Sequence, residues 1–215
     1  MRFFNSSYIW AVIFFTALVF AAAPGVSRAA GKAGAVKNAN SADALNEAFT
    51  WYDGTTKKTA WLNPNLLAEF SGGASGAVTR AYPNAKSVAV RSASVKLWKI
   101  NDGQPAKNAA DHVRAATPGS NISYVFHDGP HTSSRKRVLT GNIIVSFDPS
   151  WNKDVVASWA SSKGLGVLKK LDIGGNYYLL KEGPGFSTLE AANSISESGE
   201  VLSASPEWWV EAVTR

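Results

Sequence analysis

Two rhythms of apolar and polar residues divide this chain. Aromatic runs flank Asp53-Gly54 in FTWYDGTTKKTAWL, the pattern of a β-hairpin closed by a tight Asp-Gly turn. Asn63-Pro64-Asn65 predicts another turn, and Leu66 to Phe70 a short strand. Beyond the Gly/Ser loop Ser71 to Gly76, Val88, Val90, Val95, Leu97 and Ile100 alternate with polar residues, as half-buried strands do. Asn101 to Ser120 is polar and rich in Gly, Pro and Ala, and reads as a long loop.

After Leu139 the rhythm mixes periods of two and of about four. Asn142 to Phe147 reads as a strand with Ile143, Val145 and Phe147 on one face. Ser150 is placed to cap a helix whose apolar stripe is Trp151, Val155, Val156, Trp159 and Ala160, ended by Gly164. Leu165 to Leu171 and Asn176 to Lys181 predict two strands around the loop Asp172-Ile173-Gly174-Gly175. Ser187 opens a second helix, Thr188 to Ser198, with Leu189, Ala192 and Ile195 on one face and Gly199 after it. Glu200 to Ser203 then predicts a last strand. The order is β-α-β-β-α-β, so the fold class expected is α+β: a ferredoxin-like C-terminal domain preceded by a β-rich N-terminal lobe.

A weak repeat runs across that division. TWYDG, Lys57-Lys58 and LLAEF are echoed about 75 residues later by YVFHDG, Arg135-Lys136-Arg137 and IIVSF. Two copies do not make a solenoid; they mark two related lobes or two similar hairpins in one body.

The N-terminus is set apart by its chemistry. Arg2, the apolar run Tyr8 to Ala23 and Ser27-Arg28-Ala29 predict a signal peptide over 1–29, followed by a small, polar linker over 30–42. The domains expected are then a β-rich extension over 43–137, a ferredoxin-like domain over 138–207 and a tail over 208–215. Export places the mature chain in the periplasm or outside the cell, with no stable membrane insertion once the peptide is cleaved. The absence of cysteine excludes disulfides and thiolate metal sites. Loss of Arg2 and Arg28 lowers the formal charge from +6 to +4, a mild excess that argues little for nucleic acid.

The run from TGNIIVSFDP through GLGVLKKLDIGGNYYLLK to STLEAANSISESGEVLSASPEWW resembles the N-terminal prodomain of subtilisin-family serine proteases, over about 75 of the 215 residues. Its most specific part is the closing motif Gly199, Val201, Ala204 and Pro206. With a signal peptide and an added lobe before that module, and no catalytic motifs after it, the layout resembles the external chaperones of kexin-like members of the family. The resemblance implies a non-enzymatic chaperone and inhibitor that needs no cofactor, with a subtilisin-family protease, encoded beside it, as partner. Trp208, Trp209, Val213, Thr214 and Arg215 would then form a protease-binding tail, with Arg215 in an acidic specificity pocket. A stand-alone inhibitor without a folding role, or an orphan prodomain, are the alternatives.

Other chemistry is thin. His127 and Asp128 near Ser133 or Ser134 lack a nucleophile elbow and read as polar residues in a Gly-Pro turn. Gly129-Pro130 keeps His127 and His131 off a common helix, so no metal site is expected. Arg135-Lys136-Arg137 has three readings: a solvated loop, a docking patch for an acidic surface, or a dibasic cleavage site. Since Trp208 and Trp209 are adjacent, one of the two is expected to face a partner.

Overall fold

The Asp-Gly hairpin forms as its sequence demands. β1 (Ala48–Asp53) and β2 (Thr56–Phe70) pair from Asp53↔Thr56 outward, and Gly54 takes the left-handed turn position at φ 62°. β2 does not stop at Asn63-Pro64-Asn65, as expected, but bulges there and continues. Proline in mid-strand is tolerated at such a bulge because no ladder donor is needed. The computed structural model describes residues 45–212. The expected signal peptide and linker, and Val213, Thr214 and Arg215, lie outside the described residues.

The chain continues as α1 (Ala77–Ala81), β3 (Lys86–Val88), β4 (Val95–Lys99), α2 (Ala106–Ala116) and β5 (Ile122–His127). The second half is β6 (Lys136–Ser146), α3 (Lys153–Ser162), β7 (Gly166–Lys170), β8 (Tyr177–Lys181), α4 (Phe186–Ser198) and β9 (Ser203–Val210). The described residues thus form a mixed α+β body with one antiparallel sheet of nine strands and four helices.

The faint repeat in the sequence is the outer trace of a structural duplication. From β2 to β5 the order is β-α-β-β-α-β, with strands side by side as β3-β4-β2-β5. From β6 to β9 the same order returns, with strands side by side as β7-β8-β6-β9. In each unit the long first strand pairs its leading half with the strand before it, β1 or β5, and its trailing half with β4 or β8. Each first strand also bulges against the unit's last strand, at Leu62/Leu67 and at Leu139/Ile143. The boundary expected at 137/138 falls inside β6, which pairs with β5, β8 and β9, so one sheet runs through both halves.

Alternation along β2 feeds two cores. Leu62 and Leu67 join Phe126, Leu139, Val113 and the α1 and α2 alanines on the helical side. Phe186 and Leu189 of α4 pack into this same core, tying the second unit to the first. Leu66 and Ala68 lie on the other side with Val95, Leu97, Val125 and Val138, against which Trp209 packs. In the second unit Ile143, Val145 and Phe147 meet Val156, Ala160, Ala192 and Ile195 under α3 and α4. Truncating a fully buried ring such as Phe126 would cost about 3–5 kcal/mol.

Several local expectations shift. The loop expected over 101–120 contains α2, whose buried stripe is Ala106, Ala109, Ala110 and Val113. Asn152, not Ser150, caps α3, its side chain accepting from the amides of Asp154 and Val155, while Ser150 donates to Asp148. α4 starts at Phe186 after Gly185, earlier than a Ser187 cap allows, and ends on Gly199 as expected. The last strand is Ser203–Val210, not Glu200 to Ser203.

Candidate functional site

The motif that closes the chain is built into the end of the second unit. Gly199 ends α4 at φ 70°, a conformation that costs other residues about 1–2 kcal/mol. Val201 packs partly on the second core, and Ala204 is fully buried there as β9 begins. Pro206 is buried opposite Ile143, at the point where the β6/β9 register shifts and no ladder donor is required. Between Gly199 and Val201, the Glu200 carboxylate accepts from Lys163 Nζ at 2.7 Å and Trp159 Nε1 at 2.8 Å. These bonds, the lysine's first, hold its carboxyl below the usual range and tie the turn before β9 to α3.

The two tryptophans are not a free tail. Trp208 and Trp209 pair with Leu139 and Val138 of β6. Trp208 turns into the helical-side core, with ring centroids 5.5 Å from Trp51 and 5.4 Å from Phe126. Trp209 turns to the other face and packs on the third cluster. Adjacent residues of a strand face opposite ways, so each tryptophan has its own core and neither projects as an unsupported hot spot. The strand holds until Glu211, whose amide donates to Lys136 O at 2.9 Å and whose carboxylate pairs with Lys136 Nζ at 3.1 Å.

Arg135, Lys136 and Arg137 are brought together in this seam. Arg135 Nε donates to Asp128 at 2.8 Å, and Arg137 pairs with the other oxygen of the same carboxylate. The Arg137 guanidinium lies between Trp51 and Trp208, 4.8 and 5.2 Å from the ring centroids. Lys136 and Arg137 pair with His127 and Phe126 of β5 and belong to β6. The triplet is a piece of ion-paired sheet, not an open loop with three free cations.

His127 is fully buried at the end of β5. Its Nδ1 lies 2.7 Å from Ser134 O and its Nε2 3.1 Å from Asn63 Nδ2. A carbonyl accepts only, so Nδ1 carries the proton and Nε2 accepts from the asparagine. Burial, more than any neighbouring charge, pushes its pKa below the ordinary value. Asp128 faces the arginines and both His127 nitrogens are taken, by Asn63 and the Ser134 carbonyl, so the histidine is not poised between a carboxylate and a hydroxyl. The expected Gly-Pro turn position is corrected: the histidine is an interior strand residue bonded at both nitrogens. Among the described residues, no group of three or more His, Asp or Glu is arranged to hold a metal ion, and no helix is long and apolar enough to cross a membrane.

One constellation escaped the sequence reading. At the second bulge, Thr140, Gly141 and Asn142 stand opposite the single residue Glu207. Thr140 Oγ1 donates to Glu207 Oε2 at 2.7 Å and Asn142 Nδ2 to the same oxygen at 2.8 Å. Gly141, at φ 94°, turns its carbonyl to accept from the amides of Glu182 and Gly183, both at 3.0 Å. Two adjoining cavities of about 450 and 420 Å³ open here, sharing Gly72, Asn121, Thr140 and Asn142. The sequence signal available was the repeat itself: carried through to β5 and β9 it sets Tyr124-Val125-Phe126 against Pro206-Glu207-Trp208. Comparison of the chain with protein-family models, with curated proteins and with solved structures finds no match.

Proposed function

We propose that this chain is an exported chaperone and inhibitor of a subtilisin-family, kexin-like serine protease, with its second unit as the prodomain-like module. The observation that carries the reading is the strand order β7-β8-β6-β9 of the β-α-β-β-α-β unit, with Gly199, Val201, Ala204 and Pro206 leading into its last strand. That order suits a ferredoxin-like fold, the fold implied by the prodomain resemblance. A preformed module of this kind stabilises a folded protease by binding it and not the unfolded chain. Val213, Thr214 and Arg215 follow on the anchored Glu211 after one exposed residue, and lie in the protease cleft as an added strand, with Arg215 in an acidic pocket.

The inhibitory segment is therefore shorter than 208–215. Removing Trp208 and Trp209 would strip two cores and confound any assay, so the truncation is placed after Ala212. Against a subtilisin-family protease that cleaves after basic residues, the truncated chain should inhibit at least tenfold more weakly at an unchanged urea midpoint. Equal inhibition removes the tail from the proposal. Failure of the intact chain to inhibit the protease or to raise its folded yield on co-expression removes the proposal itself.

A further inference from the structure

The two units match strand for strand, and the place where they stop matching is informative. The crook of the first bulge, between Leu62 and Leu67, faces Val125, which is fully buried. The crook of the second faces Glu207, a half-buried carboxylate. A sheet that needed only to be filled would keep an apolar residue at both places, since a carboxylate withdrawn from water costs free energy unless it is well bonded. Thr140 and Asn142 both donate to Oε2, and no protein donor reaches Oε1 among the described residues.

The groove around this carboxylate is rich in acceptors. Ser120 and Asn121 line the adjoining cavity, and Ser120 Oγ and Asn121 Oδ1 are shielded, with no hydrogen-bond partner among the described residues. Asn121 is pinned: its backbone carbonyl accepts from Phe70 N at 2.9 Å, and a side chain on Gly73 would collide with its amide. The apolar wall is Phe70 and Trp209. Lys181 lines the far end, beyond Gly141 and Pro184. A carboxylate with one oxygen unclaimed, beside aromatic rings, suits a planar cation with several N–H groups.

We propose that the groove at the second bulge, centred on Glu207 and Trp209, binds the guanidinium of an arginine side chain presented by a partner protein. Glu207 accepts its N–H groups through Oε1, and Trp209 stacks on its plane. A lysine ammonium fits less well, having no plane to stack and a stronger hold on water. The site stands independently of the protease reading, which places a different segment in contact with the partner.

The test uses the purified chain and Nα-acetyl-arginine amide, followed through the Trp209 indole resonance. A saturable shift is expected, with affinity in the millimolar range and weakened by salt. The citrulline counterpart, equal in shape but neutral, should bind at least tenfold more weakly, and the lysine counterpart more weakly than arginine. Glu207→Gln keeps an acceptor oxygen for Thr140 and Asn142, and should lower affinity about tenfold at an unchanged urea midpoint. No saturable shift, or citrulline binding as well as arginine, overturns the site. Lysine binding as tightly as arginine overturns the guanidinium assignment, and undiminished binding by Glu207→Gln overturns the role of Glu207.

Discussion

Replacing Trp208 with alanine separates a structural tryptophan from a partner-facing one. Its ring is edge-on to Trp51 and to Phe126, and Arg137 lies over its face. Burial of a large ring sets the scale: truncation of a fully buried Phe or Trp costs about 3–5 kcal/mol. Trp208 is only half-buried, which lowers that figure. The two edge contacts contribute roughly 0.5–1.5 kcal/mol each and the guanidinium about 0.5–1 kcal/mol, which restores part of it. The net expectation is a loss of about 3 kcal/mol, equivalent to a melting temperature lower by roughly 6–12 °C for a body of this size. Urea unfolding followed by circular dichroism measures it, with Trp51→Ala and the double variant closing a cycle. The pair should couple by about 1 kcal/mol. A loss under about 1 kcal/mol, with no coupling to Trp51, would refute the placement of Trp208 in the core.

Three further expectations follow from the same geometry. His127 has a folded-state pKa below its ordinary value of about 6.5, because burial disfavours the imidazolium. The unfolded chain therefore takes up the proton first, and the stability this residue contributes is complete above about pH 6.5 and falls as pH drops from there through the folded pKa. A histidine resonance for His127 titrating at or above 6.5 would contradict this. Gly141→Ala should cost about 3 kcal/mol by urea unfolding, since φ is 94° and the added carbon would sit 3.0 Å from the Gly183 carbonyl carbon and the Pro184 nitrogen; a change under 1 kcal/mol would show that the backbone yields. β7 pairs with β8 alone among the described residues, leaving an edge with Val167 and Leu168 exposed, guarded by a register shift and by Lys169 and Lys170. Replacing both lysines with threonine should produce concentration-dependent oligomers in light scattering, and a strictly monomeric variant would remove the lysines from that role.

The second half of the sequence was legible because its apolar residues are large and spaced at clear periods. Phe147, Trp151 and Trp159 leave no doubt about strand and helix, and their rings do pack together at 5.1–5.3 Å. α2 was hidden because three of its four buried positions are alanine, so its stripe barely differs from a polar loop. Pro105 just before it was the available signal. Asn63-Pro64-Asn65 reads as a turn, yet Pro64 marks a bulge that β2 passes through, and β9 likewise runs through Pro206 beside its own bulge, starting where the expected strand Glu200 to Ser203 ends. The site at Glu207 was invisible for a different reason. Its two donors come from positions 140 and 142, far from it in sequence, and only the duplicated topology shows that Glu207 replaces a valine. The basic triplet misled because a run of charges says nothing of Asp128 and Glu211, which claim it from elsewhere in the chain.

The hairpin that starts the sheet is held by residues made last. Tyr52 donates to Glu197 at 2.9 Å, Asn193 donates to the Thr50 carbonyl at 2.9 Å, and the amide of Gly54 donates to Ser205 Oγ at 2.9 Å. Until α4 and β9 have been made, β1 has β2 and the Phe126 side of the first core to close against, but Phe49 lacks Phe186 and Trp51 lacks Trp208. The first hairpin therefore gains its last contacts only once position 205 has been made.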